Sequence, residues 1–194
     1  MNIVLHEPEI PYNTGNIGRT CVITGAALHL IRPYGFMINS KMIKRAGLDY
    51  WDRLKLHEHD NIEAFYKFIS QTENKFINES AQEIKKESNI GLKTVSIENN
   101  CPRIFYATTK GKHRYTDVEY RDGDYIMFGS EGSGIPEEIL AKNPDNCIRI
   151  PMNPLERSLN LSNSVAIILY EALRQLDFPN LESEGDLHRL KYIK

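Results

Sequence analysis

Short apolar runs of strand length alternate with segments of helical character along this chain, and that alternation restricts its fold more than any other feature. Ile3–Leu5, Leu28–Ile31, Arg103–Tyr106, Tyr125–Phe128 and Cys147–Ile150 each read as buried strands bounded by Gly, Pro, Asn or Asp. Between them, Asn16–Gly25, Asn61–Ser70 and Pro136–Lys142 carry helical periodicity or helix-start signals. Pro136 suits a first helical position, and Glu137 and Glu138 suit the positive end of a helix dipole. The pattern predicts an α/β fold with a mainly parallel sheet flanked by helices. Periodicity leaves the strand order open.

The 194 residues amount to a single domain, 1–194, interrupted by a polar insertion at about 70–100 in which Asn78–Ser88 could form a surface helix. A hydrophobic content of 41% and a charged content of 26% are globular values, which argues against global disorder. The longest unbroken apolar run, Val165–Tyr170, is far shorter than the roughly 18–20 residues of a membrane-spanning helix. The N-terminal residues lack a basic leader pattern, and three widely spaced cysteines fit neither a disulfide framework nor a zinc set. A reduced, cytoplasmic protein without a metal is expected. A net charge of −2 argues against nonspecific coating of nucleic acid. Local basic patches remain, around Lys41, Lys44 and Arg45 and around Lys110, Lys112, His113 and Arg114. Either is a solvated face or part of a phosphate footprint.

Three clusters combine glycine with polar residues near strand ends, where ligand sites of open α/β sheets gather. In the first, Asn13–Arg19, free helix-start N–H groups beside the Arg19 guanidinium would suit a phosphate, and an ordinary N-cap with a surface arginine is the plainer alternative. In the second, Gly129–Pro136, three glycines and Glu131 follow a strand without forming a phosphate loop; the glycines would let backbone approach a ligand closely. The third, Ile150–Met152 with Arg157–Ser164, holds more small polar residues than one helix cap requires, although one of Ser158, Asn160 and Ser162 is expected to be that cap. His57 and His59 read as surface histidines, and His6 as a residue at the edge of a site.

The helix expected at about Ser162–Leu176 carries apolar side chains over roughly 200° of its circumference, about twice a single core-facing stripe. Ile168 and Tyr170 mark the margins of that arc. Burying it takes two partners: the sheet, and either a second subunit or the chain from Phe178 onward.

In order and content, the three clusters resemble the three motifs of the SpoU branch of the SPOUT RNA methyltransferases. Glu7–Pro11, Arg45–Tyr50, Thr108–Gly111 and Asp122–Tyr125 extend the similarity over most of the chain, excepting 70–100 and the end after about Pro179. The resemblance implies a C-terminal trefoil knot and an S-adenosylmethionine-dependent transfer of methyl to a ribose 2′-hydroxyl. It implies the wobble nucleotide of tRNA as substrate, cytidine or uridine at position 34 in an anticodon stem-loop, with leucine isoacceptors foremost. Another RNA such as rRNA is the second reading, and a noncatalytic RNA-binding protein the third. On the same resemblance Ala107, Gly129, Ile150 and Ser158 would hold the donor, and Arg19, Glu131 and Asn163 would be catalytic, with Glu131 orienting Arg19. Asn13, Arg19, Lys44, Arg45, Lys110 and Arg157 would meet RNA, and the enzyme would be a homodimer.

Overall fold

The computed structural model describes residues 1–36, 51–72 and 102–189. Among these residues seven strands make one sheet: β1 (Asn2–His6), β2 (Ala27–Ile31), β3 (Leu56–His59), β4 (Ile104–Ala107), β5 (His113–Arg114), β6 (Tyr125–Phe128) and β7 (Cys147–Arg149). They lie in the order β3-β2-β1-β6-β4-β7-β5, and every pairing is parallel. Among the described residues, four α-helices flank the sheet: α1 (Pro11–Thr24), α2 (62–72), α3 (Glu137–Lys142) and α4 (Leu161–Gln175). The polar stretch at 73–100, with its expected surface helix at Asn78–Ser88, and the basic segment Lys41, Lys44 and Arg45 lie outside the described residues.

The central strands are apolar almost throughout because a parallel sheet is covered on both faces. On one face Ile3, Leu5, Leu28, Leu30, Ile126 and Phe128 pack against Ile17 and Cys21 of α1 and Val165, Leu169 and Ala172 of α4. On the other, Val4, Ile31, Tyr125 and Met127 meet Phe65 and Ile69 of α2 and Leu140 of α3. Burial pushes the Cys21 thiol up to about 12, so this cysteine is packing material and not a nucleophile. Strands β3 and β5 are the two edges of the sheet, and neither has an apolar run. An edge strand has one neighbour and can leave much of its length in water, so the signal that marks a central strand is missing.

Two helix ends differ from expectation. Helix α1 begins at Pro11, five residues before Asn16, so the first polar cluster forms its opening turns and not a loop ahead of it; it ends where Gly25 takes φ 73°. Pro136 is the cap residue of α3 and not its first helical residue, with Glu137 and Glu138 in the first turn. Helix α4 buries Val165, Ile168, Leu169, Ala172 and Leu173, while Ile167 and Tyr170 stay 36% and 43% exposed. Phe178 and Leu181 pack against the same core, so the chain beyond α4 covers part of the apolar surface and leaves that flank open.

The pair His57 and His59 also departs from expectation, because His59 is buried while His57 faces solvent. His29 of β2 stacks on both rings, at centroid distances of 4.6 Å to His57 and 5.3 Å to His59. Phe65, Phe68 and Tyr125 close over it. Its Nδ1 lies 3.1 Å from Nε2 of His59, while its own Nε2 is buried without a partner. A proton on Nδ1 therefore leaves a bare lone pair inside, which costs less than an orphaned N–H. Burial, reinforced by the neighbouring His57 and His59, holds the His29 pKa down at about 3. His59, His57 and His6 are lowered too, each chiefly by burial. A depressed histidine binds fewer protons folded than unfolded, so stability is complete above the unfolded value near 6.5 and declines as pH falls toward the folded one. Between pH 7.5 and 5, His29 alone accounts for about 2 kcal/mol. Urea midpoints should fall over that interval, and His29→Leu should flatten the dependence; an unchanged parent midpoint would refute the buried neutral cluster.

Candidate active site

The loops following β4, β6 and β7 converge with the start of α4 around a cavity of about 720 Å³, a size suited to a small ligand. Ile135, Ile148, Ile150 and Met152 give it an apolar lining, and Thr108, Ser130, Ser158 and Asn160 a polar one. Ala107, Gly129, Ile150 and Ser158 all line it, as do Glu131, Asn13, Lys110 and Arg157. Arg19, Asn163 and His6 do not. Lys44 and Arg45 lie outside the described residues.

The second loop closes tightly on itself. The Gly134 N–H donates to the Ser130 carbonyl at 2.9 Å, and the Ser130 and Ser133 hydroxyls are 2.7 Å apart. A Cβ on Gly129 would lie 1.9 Å from the Gly134 carbonyl carbon. Glycine is required at 129 by the loop's own backbone and not by room for a ligand. A Gly129 variant would therefore break the loop whether or not a ligand binds there.

Glu131 occupies the place that the first cluster seemed to reserve for a phosphate. Its carboxylate accepts from the Glu9 N–H at 2.8 Å, the Ile10 N–H at 3.3 Å and Asn13 Nδ2 at 2.8 Å. The N–H groups of Asn13 and Thr14 already donate to the Ile10 carbonyl. The anion at the positive end of α1 is thus the protein's own side chain. No bond joins Glu131 to Arg19 among those the carboxylate makes; Arg19 sits six residues further along α1, about 9 Å up the helix axis, and is exposed.

Asn160 supplies the third contact. Its Nδ2 donates to Asn13 Oδ1 at 3.0 Å, while its Oδ1 caps α4 by accepting from the Ser162 and Asn163 N–H groups. Asn160, not Asn163, is the asparagine that joins the clusters. Its signal was present in the sequence, since an Asn directly before an amphipathic helix is a cap, but a cap that also reaches across the fold cannot be read from spacing. Asn13, Glu131 and Asn160, one from each cluster, form a continuous hydrogen-bonded wall.

The pattern of the family described as the SpoU rRNA Methylase family matches residues 1–101 and 92–170. The chain belongs to that family. Among relatives of this SpoU methylase, the tRNA (cytidine(34)-2′-O)-methyltransferase of Escherichia coli K12 is 42% identical over 180 residues, covering 92% of this chain and 96% of its own. The enzyme of the same name from Methylovorus glucosotrophus is 41% identical over 178 residues, covering 91% and 96%. A solved structure described as giving insights into the 2-OH methylation of C/U34 on tRNA is 38% identical, covers 91% and 95%, and superposes with a TM-score of 0.72. The α/β parallel architecture is the one expected for such methyltransferases.

Basic groups stand at the rim of the SpoU methylase cavity. Lys110 pairs with Glu137 at the start of α3, a contact in full solvent that an incoming phosphate could displace. Arg157 is exposed on the third loop.

Proposed function

We propose that this SpoU methylase transfers a methyl group from S-adenosylmethionine to the 2′-hydroxyl of the wobble nucleotide of tRNA, cytidine or uridine 34. The observation that carries the reading is the junction of Asn13, Glu131 and Asn160, which brings all three motifs to one cavity wall. The cavity suits the donor: its apolar lining matches an adenine and the methylene stem of the methionine chain, and its backbone and hydroxyl groups match ribose and amino-acid ends. Ala107, Gly129, Ile150 and Ser158 would hold it. The donor supplies an electrophilic methyl on a sulfonium.

The protein's own contribution is alignment of the acceptor oxygen with that methyl. Glu131 is assigned a positioning role and not that of the base, since its oxygens accept from three N–H donors at the start of α1. Arg19 stays protonated and clamps an RNA phosphate, stabilising the developing alkoxide, while a phosphate oxygen or water takes the proton. Lys110 and Arg157 extend the phosphate footprint, with an anticodon stem-loop as the partner. The reading carries the family's trefoil knot with it.

The test incubates purified protein and donor with tRNAs bearing C34 or U34 and with rRNA, then maps 2′-O-methylated riboses. Methylation of nucleotide 34 in leucine tRNAs is expected; methylation of rRNA alone would support the second reading, and none at all would leave a binding protein.

The active form is a homodimer built on α1 and α4. These helices pack together and expose Tyr12, Ile23, Ile167 and Tyr170, an apolar surface that a C2 partner would cover. Sedimentation at micromolar concentration should show a dimer, and Tyr170→Glu should shift it toward monomer. A parent sedimenting as a monomer would overturn this. Among the described residues no helix is long and apolar enough to cross a membrane, and the proposed site of action is the cytoplasm.

A further inference from the structure

Glu9 and Glu131 form a reciprocal clasp that the cavity itself does not reveal. Glu131 accepts from the Glu9 N–H, and Glu9 Oε2 in turn accepts from the Gly132 N–H at 3.1 Å. Each carboxylate therefore holds the backbone of the other's segment. The approach is close: a Cβ on Gly132 would stand 3.0 and 3.1 Å from the two Glu9 carboxylate oxygens. Gly132 lines the cavity and Glu9 does not, so the Glu9 carboxylate braces the loop from outside.

From this geometry we infer that Glu9 is a positioning residue, which holds the 129–134 loop in its donor-binding shape through Gly132. The inference rests on the donor site proposed above. Glu9 is exposed, so losing its bond leaves the Gly132 N–H to water at little cost in global stability. A loop that must be ordered at the moment of binding instead loses donor affinity. The chemical step, carried by Arg19 on α1, is left alone, because the bonds from Glu9 and Ile10 to Glu131 are backbone donations that survive any side chain at position 9.

The test compares Glu9→Ala, Glu9→Asp and Glu9→Gln, with S-adenosylmethionine affinity measured by calorimetry and single-turnover methylation of tRNA measured at saturating donor. Alanine, and aspartate with its shorter reach, should each weaken donor affinity about tenfold while the saturated rate stays within about threefold. Glutamine keeps an acceptor oxygen at full length and should restore affinity to within about twofold. A merely structural role would lower the melting temperature and the saturated rate together and would not be rescued by glutamine; that pattern, or unchanged affinity in all three variants, overturns the inference. If the parent itself binds no donor, the functional reading fails and the inference falls with it. A parent that binds and methylates, beside an alanine variant that does so equally well, sinks the inference alone.

Discussion

Arg19→Lys should cut single-turnover methyl transfer by roughly 30- to 1000-fold at saturating donor, the equivalent of about 2–4 kcal/mol of transition-state stabilisation, with donor affinity unchanged. Lysine preserves the charge and removes the planar fork, so a long-range electrostatic role would tolerate the change and a bidentate clamp on phosphate would not. Arg19 lines no part of the cavity proposed for the donor, which is why the two measurements should separate. A lysine variant within threefold of the parent would remove Arg19 from the preparation of the 2′-hydroxyl.

Glu131→Ala should damage both fold and function. The change leaves the Glu9 and Ile10 N–H groups to water and takes the charged acceptor from Nδ2 of the buried Asn13 at the start of α1, and Asn13 in turn is tied to the cap of α4. Losing a charge-assisted acceptor at a helix start costs about 2 kcal/mol. The larger effect is on activity, since α1 carries Arg19, the proposed phosphate clamp, and a displacement of about 1 Å at such a group is worth roughly a hundredfold. Glu131→Gln, which keeps one acceptor oxygen, should fall between alanine and parent. Chemical denaturation and single-turnover rates together provide the check; an alanine variant with parental rate and midpoint would show that the junction of the three motifs is not needed.

The central strands and α4 were legible in the sequence because burial on both faces leaves an apolar run, and a core-facing helix leaves a stripe. Edges β3 and β5 left neither mark. The histidine cluster escaped because His29 and the pair His57 and His59 belong to strands whose adjacency no local pattern encodes. Within the site, the residues that face the cavity could be placed from motif resemblance, whereas the bonds among them could not. Glu131 was expected beside Arg19 and instead serves the backbone of residues 9 and 10, a partnership spanning more than a hundred residues. Ser158, Asn160 and Ser162 were equal candidates for the cap of α4 because they share one polar run, and only the register of the helix start selects Asn160.

The placement of β1 between β2 and β6 bears on how the molecule comes into being. The first strand synthesised finds one neighbour at 27–31 but waits for the other until residue 125 has been made. Asn13 waits longer still, since its partner Asn160 lies 147 positions away. Of the described elements, a nascent chain emerging from the ribosome can thus first assemble β1, α1, β2, β3 and α2 as a partial layer, with one flank of β1 unpaired. Contacts of such long sequence separation form late and slowly. Competence for catalysis should therefore arise in one late step, when α4 docks and the last of the three motifs joins the others, and truncation before residue 160 should yield no partly active fragment.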